Sequence, residues 1–163
     1  MHLWVGGEDG RVEGCGREEG LDWESGLEGS ESEGAVKRYW DKELEVVMKA
    51  GERHPRNYYA WAYARDLLRE LAGKGRKWGL VRARVRRVQR WCLQHPRDVS
   101  GWAFLEFLLR EVGGEGNRGG EEVVRRVVWE TRQFVRKFEW RGESITWFLK
   151  SVQRLEGGMD GDP

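Results

Sequence analysis

An all-α fold, an α-solenoid of helix-turn-helix repeats behind a disordered N-terminal tail, is predicted by three observations on the 163-residue sequence. Apolar residues recur at helical spacing from Ala35 onward. A helix-turn-helix segment repeats at an interval of 41 residues, and such periods mark stacked helical units that bury their apolar faces only against one another. Few β-branched runs leave little from which to build strands.

The first helix is marked by Val36, Trp40, Glu43, Val47 and Ala50, four of them apolar, at i, i+4, i+7, i+11 and i+14. It should stop before Gly51 and Pro55. Asn57, a good N-cap residue, opens a second helix carrying Tyr58, Trp61, Arg65, Leu68 and Leu71, and Gly73 closes it. Residues 54–70 then return as 95–111 with nine identities in seventeen positions. His54-Pro55-Arg56 matches His95-Pro96-Arg97, Trp61-Ala62 matches Trp102-Ala103, and Leu67-Leu68-Arg69-Glu70 matches Leu108-Leu109-Arg110-Glu111. Ahead of this copy, Val81, Val85, Val88 and Cys92 form the apolar stripe of another first helix. A weaker third copy places Val123, Val127, Thr131, Phe134 and Phe138 on one helix and Glu143 to Leu149 on the next, with Trp147 lying 45 residues past Trp102. The expected organisation is a tail over 1–35, a repeat domain over 36–156 (units about 36–73, 78–113 and 120–156) and a flexible end over 157–163. Trp61, Trp102 and Trp147 are expected at equivalent buried positions, where a large indole packs stacked helix pairs together.

Charge is divided unevenly along the chain. The 29 Lys+Arg nearly balance the 28 Asp+Glu, yet residues 1–35 carry ten acidic and two basic side chains while residues 36–163 carry a net charge of +9. The Gly/Glu/Ser-rich tail holds too few apolar residues to offset its conformational entropy, so disorder is expected there, with Trp4 and Trp23 as its only docking-type side chains. No apolar stretch approaches the roughly 20 residues of a membrane helix. The N-terminus lacks the basic n-region and long apolar core of a signal peptide, so a cytoplasmic location is expected. Cys15 and Cys92 are far apart, and His2, His54 and His95 form no ligand-spaced cluster. Reduced thiols and no metal bound by this chain follow.

Two charged features invite a partner. Arg65, one turn beyond Trp61 on an otherwise apolar face, calls for a carboxylate or carbonyl. Residues 74–90 hold Lys74, Arg76, Lys77, Arg82, Arg84, Arg86, Arg87 and Arg90 without an acid. Arg82, Arg86, Arg87 and Arg90 fall opposite the valine stripe, an exposed cationic face for solvent, the chain's own acidic tail, an acidic protein or RNA phosphate. With the aromatic residues on buried stripes, base stacking is disfavoured and nucleic acid is not expected as a partner.

His54-Pro55-Arg56-Asn57-Tyr58-Tyr59-Ala60-Trp61-Ala62-Tyr63-Ala64-Arg65 resembles the Pro-x-Asn-Tyr-x-x-Trp-x-x-x-Arg core of the protein prenyltransferase α-subunit repeat. Glu143-Ser144-x-x-Trp147 resembles the Glu-Ser-x-Trp form of that family's later repeats, with one extra residue before the tryptophan. The resemblance covers residues 36–155, with Asn57, Trp61, Arg65, Trp102, Ser144 and Trp147 as its signature. It is that of a divergent or truncated member, similar to the α-subunit-repeat-containing proteins. It implies an α-type subunit, inactive alone and binding no cofactor itself, that scaffolds a zinc-bearing β subunit. The pair would transfer a farnesyl or geranylgeranyl group from a prenyl diphosphate to a cysteine of a protein substrate. It also implies catalytic roles for Arg56 and Tyr58 and a substrate-binding role for Arg97. Asp98-Val99 and Glu106 depart from the pattern, as does the presence of only three units. The rival expectation is a non-enzymatic, TPR-like adaptor that binds an acidic protein partner or RNA.

Overall fold

The computed structural model describes residues 23–71, 77–113 and 118–157. Their regular structure is all helical: α1 (Trp23–Arg53), α2 (Tyr58–Leu71), α3 (Lys77–Gln94), α4 (Val99–Val112), α5 (Arg118–Lys137) and α6 (Glu143–Gly157). Consecutive helices pair as α1/α2, α3/α4 and α5/α6 across short turns. The second helices pack side by side as α2, α4, α6, and α3 packs on α5 behind them. Helix α4 touches α2, α3, α5 and α6, and its buried residues, Trp102, Phe104, Leu105, Leu108, Leu109 and Val112 among them, make it the centre of one continuous core.

Helix α1 starts ahead of the expected boundary at Ala35. Once a packed segment has nucleated a helix, extending it costs little; at its other end Arg53 stands in the last turn, the sign the helix dipole favours there. Trp4, Cys15, Gly73, Lys74, Arg76 and residues 158–163 lie outside the described residues.

The valine stripe of α3 is fully buried at Val81, Val85, Val88 and Cys92, as its spacing predicts. The stripe of α1 is rotated by one residue: Leu44, not Glu43, is buried between Trp40 and Val47. Glu43 instead stays at the rim, where its carboxylate accepts the Tyr63 hydroxyl at 2.8 Å. On α5 the buried residues are Val124, Val127, Val128 and Thr131. Phe138 is exposed because α5 ends at Lys137 and the chain turns through Glu139 at φ 48°.

Trp61 and Trp102 are buried, but Trp147 is 43% exposed. The burial pattern supplies the reason. From Trp102, α4 buries positions +3, +6, +7 and +10; α6 buries Ile145, Phe148 and Val152, which stand at 0, +3 and +7 when Ile145 is the origin. Ile145 therefore holds the tryptophan's place in the third unit. Trp147 stands two positions past Ile145, about 200° around the helix and away from the core. Phe148 supplies the aromatic contact instead, 4.9 Å from the Trp102 ring.

Trp91 of α3, absent from the expected stripes, ties the first two units together. It meets Trp61 edge-on at 4.9 Å and stacks on His95 at 4.2 Å. Gly51 and Gly101 make room for it: a Cβ on either would stand 2.9 or 2.5 Å from the indole, closer than carbon atoms can pack.

Candidate functional site

Each duplicated turn ends in a helix cap. The Asn57 side-chain oxygen accepts the Ala60 N–H at 3.2 Å, and Asp98 Oδ1 accepts the Gly101 N–H at 2.9 Å, the same relation 41 residues later. Arg56 adopts φ 64°, a left-handed conformation costly for a residue with a Cβ. Its N–H donates to Asp98 Oδ2 at 2.7 Å, so the second turn holds the first. Ser144 Oγ in turn donates to the Arg97 carbonyl at 3.2 Å, tying α6 to the second turn. The three units thus present their turns along one edge.

A cleft of about 550 Å³ opens there, with Arg56, Arg97, His95 and Trp140 in its wall. The Arg97 guanidinium lies 5.9 Å from the Trp140 ring centre, a cation–π distance. His95 Nδ1 donates to the Trp91 carbonyl at 2.9 Å, which fixes the ring beside Trp91. Arg56 and Arg97, expected at a shared substrate, do come together. Tyr58 is not in that wall; it is 61% exposed, with its ring against Tyr59.

Arg65 finds neither carboxylate nor carbonyl among the described residues. Its guanidinium lies 5.8 Å from the Phe107 ring of α4, with Arg69 at 5.4 Å from the same ring. An aromatic face on the neighbouring helix serves as its partner. Cys92 offers no nucleophile: it is fully buried, and burial, followed by the nearby Asp98 charge, pushes its thiol well above the usual value.

The cationic face that the spacing gives α3 does reach the surface, with Arg82, Arg86 and Arg90 exposed and Arg87 half-buried, but part of the basic run is paired. Arg84 is 2% exposed and grips Asp41 of α1 with two hydrogen bonds, 2.9 and 2.5 Å. Arg87 reaches the Asp41 carbonyl at 3.4 Å and the Glu45 carboxylate at 3.9 Å, and Arg86 pairs with Glu130 of α5. Carboxylates on both flanking first helices thus pair with three cations of α3, Arg84, Arg86 and Arg87.

The open cations lie around Trp147. Three clefts of about 410, 380 and 360 Å³ meet at its indole. The first is walled by Arg110, Lys150 and Arg154, the second by Arg141 and Lys150, and the third by Arg56 and Val99, with Glu143 the one acid shared by the second and third. Arg56 also lines the turn-end cleft, so the four clefts neighbour one another as an open, interrupted groove from the turns along α4 and α6. Glu106 in its wall is spent on Arg110 at 2.6 Å. Among the described residues no carboxylate pairs with Arg56, Arg141, Lys150 or Arg154. The sequence carried a signal for this face: Trp147, Lys150 and Arg154 stand at i, i+3 and i+7.

No group of His, Cys, Asp and Glu side chains among the described residues is arranged to hold a metal ion, and no described helix is long and apolar enough to cross a membrane.

The family model for the ECM9 middle domain matches residues 29–130, from α1 into α5. No curated protein and no solved structure matches the chain. The match overturns the resemblance to the prenyltransferase α-subunit repeat. The residues that suggested it have local explanations shared by any stacked helix pairs: Asn57 caps α2, Trp61 fills the core and Arg65 sits on Phe107. The roles lent by that resemblance to Arg56, Tyr58 and Arg97, and the zinc-bearing partner it implied, go with it.

Proposed function

The chain belongs to the ECM9 middle domain family, and from that premise we propose that it is a non-enzymatic helical-repeat binding module whose α4/α6 groove takes an extended polyanionic chain. The observation that carries this reading is the exposed Trp147 at the meeting point of three clefts whose walls hold Arg56, Arg141, Lys150 and Arg154, none of them paired with a carboxylate among the described residues. Leaving Arg56, Arg141, Lys150 and Arg154 without a carboxylate while Arg84, Arg86 and Arg87 of α3 are paired raises the positive potential along one track, which attracts and orients an anionic partner. The groove is open and elongated rather than a closed pocket, which suits a chain more than a compact metabolite.

Retention on immobilised heparin tests it. The triple variant Arg141→Gln/Lys150→Gln/Arg154→Gln should elute at clearly lower salt than the unaltered chain. Lys49→Gln/Arg125→Gln/Arg126→Gln, which removes equal charge from α1 and α5, should elute close to it. Equal shifts in both variants would show that net charge, not the groove, governs retention.

A further inference from the structure

Resting on that reading of the groove, we infer that the chain it takes is single-stranded nucleic acid, with a base stacked on Trp147. The α6 face presents one indole and then a cation on each following turn, Lys150 and Arg154. A docking amphipathic helix would need apolar residues at those same i+3 and i+7 positions. Beside Trp147 the only other exposed large apolar side chain in the groove wall is Val99, at 41%. The partner must therefore bring a flat apolar face together with repeated negative charge. A nucleobase on a phosphate backbone has both, and stacking platforms set in cationic grooves bind single strands in this way. An acidic polypeptide would satisfy the cations and leave the indole in water. Arginine also predominates over lysine along the track, and its forked donors match phosphate oxygens two at a time. A duplex does not fit the same demand, because its bases are already stacked on one another.

The expectation that aromatic side chains sit only on buried stripes argued against nucleic acid; Trp147 removes that objection by standing outside the core.

Fluorescence anisotropy on the full chain, with a labelled oligouridylate of about 12 nucleotides and an oligoglutamate of matched charge, decides the matter. The oligouridylate should bind at least tenfold more tightly than the oligoglutamate. Trp147→Ala should weaken it roughly five- to hundredfold, the loss of one stacked base, and Trp147→Phe should recover most of that. Lys150→Gln should flatten the slope of log K against log salt by about 0.7, the value for one phosphate contact on a single strand. Oligoglutamate binding as tight as oligouridylate, or Trp147→Ala binding the oligouridylate like the unaltered chain, overturns the nucleic-acid assignment while leaving the polyanion groove standing. Binding of neither ligand overturns both.

Discussion

Asp98 fixes the backbone of Arg56: its Oδ2 takes the Arg56 N–H at 2.7 Å across 42 residues while Oδ1 caps α4. One buried carboxylate thereby sets the first turn's left-handed residue and starts the central helix. Asp98→Ala should cost about 2–4 kcal/mol in urea unfolding, since it removes a cap and also leaves a part-buried N–H without an acceptor. Asn57→Ala, which removes a cap alone, should cost about 0.5–2 kcal/mol. Equal losses would mean that the bond between the turns contributes nothing.

The two tryptophans that share a sequence motif should behave oppositely in stability measurements. Trp102 is fully buried against Phe148 and donates its indole N–H to the Pro96 carbonyl at 3.2 Å. Trp102→Ala should cost about 3–5 kcal/mol. Trp147→Ala should change stability by less than about 1 kcal/mol, because the side chain is largely in solvent and outside the core. A large loss on Trp147→Ala would return it to the repeat core.

Cys92 makes stability pH-dependent on the alkaline side. Its folded thiol titrates above the usual value of 9.0, chiefly through burial. Below that value the proton is bound in both states and the contribution is complete. As pH rises past about 9 the unfolded chain releases the proton first, so stability falls. Tyr63, pushed up to about 12 by its hydrogen bond to Glu43, acts in the same direction. It is present in both chains when Cys92→Ala is compared with the original, and the variant should lose less stability between pH 8 and 10. In a Cys15→Ser background, Cys92 should resist alkylation until the chain unfolds; rapid labelling of the folded protein would contradict its burial.

Helical periodicity exposed the helix pairs because it depends only on spacing. The α3 stripe was legible for that reason, and the duplicated His-Pro-Arg turns located the edge where Arg56 and Arg97 meet. Partner choice was not legible. Arg82, Arg86, Arg87 and Arg90 look open on a wheel of one helix, which says nothing of the acids that neighbouring helices bring. Only the tertiary arrangement brings Asp41 and Glu130 to Arg84 and Arg86. The reverse holds on α6, where the i, i+3 and i+7 spacing of Trp147, Lys150 and Arg154 marks one face of the helix but not that this face is open. Lys150 and Arg154 gain importance because Trp147 turns outward beside them. A displacement of two positions along α6, from Ile145 to Trp147, made that difference, by a rotation that motif matching treats as noise.

Hydrogen exchange of the full chain with and without a bound polyanion, read by peptide mass spectrometry, tests the groove most directly. Slowed exchange is expected in 95–98 and 143–155, at the turn edge and along α6, with residues 82–90 of α3 unchanged because Arg84, Arg86 and Arg87 are already held by α1 and α5. Protection centred on 82–90, with α6 exchanging as in the free protein, would contradict it.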